Sequence, residues 1–328
     1  MKNIIRLLLV ALVMVSCTAN AQQTPTTEAN IKSVAGVPLL RLNNGVDMPQ
    51  FGLGTFNIPN NAICADAVSF AIKNGYRHID TAHAYNDEQG VGEGVKMSGV
   101  PRNEIWITSK LWPSDYTGTD PDKSIDLMLK RLGVKYIDLL YIHQPVGDVK
   151  GAYNAMIRAY KAGKIRALGI SNFDYDDQRV TPILNWFLDS AEVRPQVMQI
   201  ECHPYAQRLK MRKILAAKGV QLECWFPLGG AMSNGALLRD PVINRIAKAH
   251  GKTPAQIIIR WHLQEGFSVI PGATDHGYIK ENISTMDFAL SQAEMDAIRA
   301  LNEEQRFFNA TYEQTLQFVG GWKVTKKD

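Results

Sequence analysis

The chain has 328 residues, 45% of them hydrophobic and 21% charged, with 36 Lys+Arg against 32 Asp+Glu. That length and apolar content are enough to bury a large core and exclude a disordered or fibrous chain. The charges nearly balance and the basic residues are scattered, which excludes the concentrated basic face of a nucleic-acid-binding protein.

Residues 1–21 read as an export signal. Lys2 and Arg6 open it, Leu7 to Val15 is an apolar run too short to span a bilayer, and Ala19-Asn20-Ala21 offers a small-x-small cleavage pattern. A second scheme takes Val15-Ser16-Cys17 as a lipoprotein box with Cys17 lipidated, although Met14 stands where Leu is usual. The first scheme places the protein in the periplasm; the second anchors it to a membrane, the only membrane contact expected. Residues 22–35 read as a flexible linker and 36–328 as a single domain, expected to be a monomer. Processing leaves Cys64, Cys202 and Cys224, an odd and sparse set without CxxC or zinc spacing. No metal is expected. Cys202 and Cys224 fall at the ends of neighbouring strands, where one disulfide would fit an oxidising compartment, but buried free thiols are the expectation.

Leu39–Leu42 and Val46–Met48 flank Asn43-Asn44-Gly45, a β-hairpin signal because Asn and Gly tolerate positive φ. Short apolar runs then alternate with helical patterns. The predicted strands are Phe51–Leu53, His78–Asp80, Ile105–Ser109, Ile137–Ile142, Ile165–Ile170, Val197–Glu201, Leu222–Trp225 and Ser268–Ile270. Helical patterns between them include Ala62–Asn74, Lys123–Leu132, Gly151–Lys161 and Pro241–His250. Eight such units without a linker predict an α/β fold, a (β/α)8 TIM barrel with an N-terminal β-hairpin. A doubly wound sheet would need GxGxxG after its first strand; Phe51-Gly52-Leu53-Gly54-Thr55-Phe56 lacks it, and Gly90, Gly92 and Gly94 sit inside a helical stretch.

Barrel enzymes carry their chemistry at the C-terminal ends of strands. Three consecutive strands end in Asp80, Lys110 and His143, and Tyr85 follows Asp80 in its loop. Taken singly, such residues are most often a cap, a solvated lysine, a structural histidine and packing; four at one rim suit carbonyl reduction. Hydride arriving at a carbonyl carbon leaves negative charge on oxygen, which needs a proton donor. A lysine beside a tyrosine favours the phenolate, an aspartate fixes that lysine, and a histidine orients the carbonyl.

Gly75-Tyr76-Arg77-His78-Ile79-Asp80-Thr81-Ala82-His83-Ala84-Tyr85, Ile107-Thr108-Ser109-Lys110-Leu111-Trp112 and Gly163-Lys164-Ile165-Arg166-Ala167-Leu168-Gly169-Ile170-Ser171-Asn172-Phe173 resemble three ordered motifs of the aldo-keto reductase family. The resemblance runs from about Leu39 to Asn302. It implies Tyr85 as proton donor, supported by Asp80, Lys110 and His143, with NADP(H) as the usual cofactor and a small-molecule carbonyl as substrate. It also implies that Ser171, Asn172 and Gln199 hold the nicotinamide carboxamide and that Trp225 stacks under the ring, where a plain core role is the rival reading. Thr55, Leu228, Gly229, Gly272, Thr274, Glu281 and Asn282 are the other implied cofactor positions. Phe56 and Trp112, with His143, would wall the substrate pocket, and Phe307, Phe308 and Tyr312 in the tail are candidates to line it.

The sequence departs from the pattern where the family binds the 2′-phosphate of NADP: Gly272, Ala273 and Tyr278 replace Lys, Ser and Arg. Losing two cations there weakens the expected preference for NADP(H) and admits NAD(H). Asp87 stands where the family has Asn. Two rival functions remain: a non-catalytic exported barrel that binds a ligand or partner, and a hydrolase using Asp80 and Glu201. The intact tetrad favours the reductase.

Overall fold

The computed structural model describes residues 32–175, 177–322 and 324. The proposed signal, Cys17 and most of the proposed linker lie outside the described residues.

The first sheet is small and antiparallel, with β1 (Ser33–Val34), β2 (Val37–Arg41) and β3 (Asp47–Pro49). Gly45 takes φ 81° in the predicted Asn-Asn-Gly turn. The linker assigned to 22–35 stops short of that boundary, because Ser33 and Val34 pair with Pro38 and Val37 around a two-residue Ala35-Gly36 turn. Ala35 (φ 49°) and Gly36 (φ 83°) both take left-handed backbone, as a tight hairpin with right-handed strand twist requires; alanine hid the signal.

The second sheet has eight parallel strands in sequential order: β4 (Leu53–Gly54), β5 (His78–Asp80), β6 (Trp106–Leu111), β7 (Ile137–Ile142), β8 (Ile165–Ser171), β9 (Val197–Glu201), β10 (Gln221–Trp225) and β11 (Ser268–Val269). Parallel bridges Phe51↔Val269 and Gly54↔Gly272 join the first strand to the last and close the barrel. Every predicted strand is present. The helices are α1 (Asn61–Lys73), α2 (Glu88–Ser98), α3 (Pro121–Leu132), α4 (Val149–Lys161), α5 (Thr181–Asp189), α6 (Leu209–Lys218), α7 (Pro241–His250), α8 (Pro254–Gln264), α9 (His276–Ile283), α10 (Gln292–Arg299) and α11 (Tyr312–Gly321). Asp120-Pro121, Asp240-Pro241 and Thr253-Pro254 start three of them with a capping side chain followed by proline at the first helical position, where its missing N–H costs nothing.

Side-chain alternation splits each barrel strand between two environments. Outward residues such as Ile79, Ile107, Leu140 and Ile170 join the helices in the main core. Inward residues fill the barrel in layers. At the bottom, Trp106, Leu139, Tyr141, Ala167 and Val197 pack against Leu42 and Met48 of the hairpin, which plugs that end while Asn43 and Asn44 donate to the carbonyls of Pro195 and Arg166. Gly169 is glycine because a Cβ there would stand 2.3 Å from the Tyr141 ring. Above this layer the interior is polar: His78, Asp80, Thr108, Lys110, Gln199, Glu223 and Ser268 are all buried inside the barrel.

Candidate active site

β6 runs to Leu111, so Lys110 sits within the strand rather than at its end, and its ammonium lies in the barrel with the residue fully buried. There Nζ donates to Asp80 Oδ1 at 2.5 Å and to the Thr81 carbonyl at 2.9 Å, and reaches the Tyr85 hydroxyl at 3.4 Å. A short 3-10 turn, His83–Tyr85, delivers Tyr85 from the strand end. The His143 ring meets Tyr85 edge-on at 5.7 Å between centroids and Trp112 at 4.9 Å. The four residues proposed from sequence therefore converge at one rim.

Burial opposes the charge on Lys110, but Asp80, Tyr85 and Glu223 outweigh it and hold the ammonium above the ordinary lysine range. Burial raises Tyr85, Lys110 pulls it back, and the phenol stands at about 12. His143 is held well below the ordinary histidine range, first by burial and then by Lys110, so it is a neutral imidazole at neutral pH.

Below the tetrad lies a residue that the sequence reading missed. Glu223 Oε1 accepts from Gln199 Nε2 at 2.7 Å and from the Tyr141 hydroxyl at 2.9 Å, while Oε2 accepts from Ser268 at 2.7 Å. Gln199 Nε2 also donates to Asp80 Oδ2 at 2.9 Å. Two acids thus share the Lys110 charge, and burial pushes both carboxyls up. The available signal was an acid in the middle of the apolar strand Leu222-Glu223-Cys224, in phase with Trp225.

The tetrad opens into a cleft of about 700 Å³. Phe56, Trp112, Phe226, Phe308, Phe318 and Trp322 supply its aromatic walls. Asp115, also missed, positions one of these walls, accepting from the Trp112 backbone at 2.8 Å, and pairs with His83 of the Tyr85 turn at 2.7 Å. Trp106 lies in the bottom layer, away from the cleft. Of the tail candidates only Phe308 lines it. Phe307 packs on the His203 ring at 4.7 Å, and Tyr312 takes the Arg179 guanidinium at 4.1 Å. The real lining partners are Phe318 and Trp322 on and just beyond α11; Trp322 donates to the Ala84 carbonyl at 2.9 Å.

This geometry agrees with the comparisons. Residues 50–303 match the model of the aldo/keto reductase family. A glyoxal reductase of Bacillus subtilis is 43% identical over 268 residues, which cover 81% of this chain and 94% of the relative. A crystal structure of an aldo/keto reductase from Brucella melitensis superposes with TM-score 0.74 at 39% identity, covering 81% of this chain and 99% of the other. A Bombyx mori aldo-keto reductase in complex with NADP superposes with TM-score 0.75 at 29% identity, covering 83% and 95%.

The chain belongs to the aldo/keto reductase family. It is an NAD(P)H-dependent oxidoreductase acting on carbonyl groups, and a barrel stripped of its chemistry is not favoured.

In this aldo/keto reductase the implied cofactor positions fall into two groups. Ser171, Asn172, Gln199, Trp225, Leu228, Gly272 and Thr274 line the cleft. Ser171 Oγ is buried there without a hydrogen-bond partner among the described residues. Asn172 takes left-handed backbone (φ 65°); its amide donates to the His143 carbonyl and accepts from Trp225 Nε1, both at 3.0 Å. Trp225 is therefore held at the cleft surface and is not core filler. Thr55, Gly229, Glu281 and Asn282 are not on the cleft surface. Thr55 is buried behind it. Gly229 (φ 84°) leaves room for Phe307, whose ring would stand 2.9 Å from a Cβ. Glu281 accepts from Thr253 at 2.7 Å, and Asn282 is buried on α9. Tyr278 is exposed, and Asp275 caps α9 by accepting from Tyr278 N.

Proposed function

We propose that this protein is an exported reductase of aldehydes and ketones in which Tyr85 donates the proton. The observation that carries this reading is Lys110, buried with its ammonium between Asp80 and the Tyr85 hydroxyl on the floor of an aromatic cleft. When bound, the nicotinamide supplies hydride to the carbonyl carbon. Tyr85 holds its proton at neutral pH and yields it to the developing alkoxide as the adjacent Lys110 charge stabilises the phenolate. Asp80 keeps Lys110 in place and compensates its burial, and neutral His143 orients the carbonyl without adding charge. Ser171 and Gln199 would hold the carboxamide over Trp225. The apolar walls favour small carbonyl compounds with an apolar or aromatic side, and the similarity to a glyoxal reductase supports 2-oxoaldehydes as a first class to try.

Cofactor choice follows from what stands at the adenosine end. Gly272, Ala273 and Tyr278 offer no cation to a 2′-phosphate, so NADH is used at a rate comparable to NADPH. Export rests on residues 1–21 and their cleavage pattern; the mass of the mature N-terminus separates cleavage after Ala21 from lipidation at Cys17.

Titration of the protein with NADPH and NADH, followed by turnover of methylglyoxal and an aromatic aldehyde, tests the reading. Both cofactors should bind saturably. Tyr85→Phe should keep binding and lose kcat by about 10²-fold or more. A Tyr85→Phe enzyme that still turns over normally, or a strict NADPH requirement, would overturn the corresponding part.

A further inference from the structure

Behind the cleft, on the outer face of the sheet, lies a constellation that the reaction does not use. Cys224 sits in β10 opposite Ile200 of β9, and Cys202 follows β9 directly. Glu223 and Trp225 face the interior, so the alternating Cys224 faces outward toward α8, where His262 lies. The two sulfurs and a His262 ring nitrogen are within 4.8 Å of one another, and all three residues are completely buried. Neither cysteine is in a disulfide. His262 Nδ1 and Nε2 stand 2.8 Å and 3.0 Å from the carbonyls of Ile258 and Cys202. A neutral imidazole has one N–H and donates to only one of them, so the lone pair of the other nitrogen faces a carbonyl oxygen without a hydrogen bond.

We propose that Cys202, Cys224 and His262 bind one soft monovalent d10 cation, copper(I). Two sulfurs and an imidazole nitrogen are the donor set that such an ion prefers. Zinc in a closed site takes four ligands, and the cluster offers three. Each thiol that ligates gives up its proton to solvent as its copper–sulfur bond forms, with no change of oxidation state. The bound ion would tie the end of β9 to β10 beside Glu201 and Trp225, and so stiffen the back wall of the cleft.

The test is metal uptake by the full-length chain, incubated anaerobically with copper(I) and a non-thiol reductant and then desalted. About one copper per chain should remain. Cys202→Ser and Cys224→Ser should each lower retention roughly tenfold or more. Cys17→Ser combined with Cys64→Ala, which removes the other two cysteines, should leave it unchanged. Copper should raise the melting temperature of the wild type and of the Cys17→Ser/Cys64→Ala protein but not of Cys202→Ser, which separates ligation from a folding defect. Retention far below one copper in the reduced wild type, or equal retention in the Cys202→Ser and Cys224→Ser proteins, would overturn the proposal.

Discussion

Tyr85, His143 and Asp87 divide the pH behaviour of the site among three side chains. Tyr85 acts as an acid and stands at about 12, so kcat/KM for reduction should stay level through neutral pH and fall as pH rises toward that value. Oxidation of an alcohol, which needs the phenolate, should rise over the same range. His143 stays neutral, so His143→Gln should remove no inflection between about pH 6 and 9; pH–rate profiles of the wild type and this variant check it. Asp87 concerns stability. Its Oδ1 accepts from Thr81 at 2.5 Å, and burial raises the carboxyl to about 6 from an ordinary 3.8. A raised acid binds its proton more tightly when folded, so this group destabilises the fold as pH climbs from 3.8 through 6. Asp87→Asn keeps the acceptor and removes the charge. It should stabilise the protein at pH 7 by on the order of 1–3 kcal/mol and leave pH 4 nearly unaffected, as denaturant unfolding at the two pH values would read. The sequence had marked Asp87 as a departure; only its burial reveals the consequence.

At the scale of elements, α2 shows why its three glycines stand at alternate positions. A Cβ on Gly90 would lie 2.6 Å from the Asn61 carbonyl and one on Gly94 2.7 Å from that of Ala65, both on α1, whereas one on Gly92 would meet the Leu132 carbonyl of α3 at 2.2 Å. Two faces of one helix thus approach neighbouring backbones too closely for any side chain. Gly94→Ala should gain helix propensity and still lose about 1–3 kcal/mol to overpacking; a thermal or chemical melt gives the sign. From sequence these glycines were only seen to sit inside a helical stretch, away from any GxGxxG turn. The strands were legible because barrel strands buried on both faces read as continuous apolar runs. The first hairpin was not, because Ala35 supplies one of its left-handed positions.

Across the whole molecule, the C-terminal segment crosses the rim and is fastened on both sides of the cleft. Glu201 accepts from the backbone N–H of Phe307 at 2.6 Å and of Phe308 at 3.2 Å, and pairs with Arg306 and with His203. At the far side Trp322 holds the Ala84 carbonyl and Phe318 meets Trp112 at 6.0 Å. This is the use of Glu201, which sequence reasoning weighed as half of a hydrolytic carboxylate pair. Burial raises its carboxyl, but His203, the Phe307 amide and Arg306 outweigh that and hold it below the usual carboxylate range. The anchor is therefore intact at neutral pH and lost only as pH falls below that range. Glu201→Gln should speed tryptic cleavage after Arg306 roughly tenfold or more and raise KM for bulky aldehydes, with the barrel itself still folded.

Taken alone, the sequence determined the strand–helix alternation, the closed barrel, the family and the four residues at the rim, because each is written in local patterns or in short ordered motifs. Tertiary structure alone decided what lies between elements distant in the chain. It set Glu223 beneath Asp80, brought Cys202 and Cys224 to His262, and carried Phe318 and Trp322 over the cleft in place of Phe307 and Tyr312. Inward and outward neighbours are chosen by barrel closure and by the path of the tail, and no local periodicity records either.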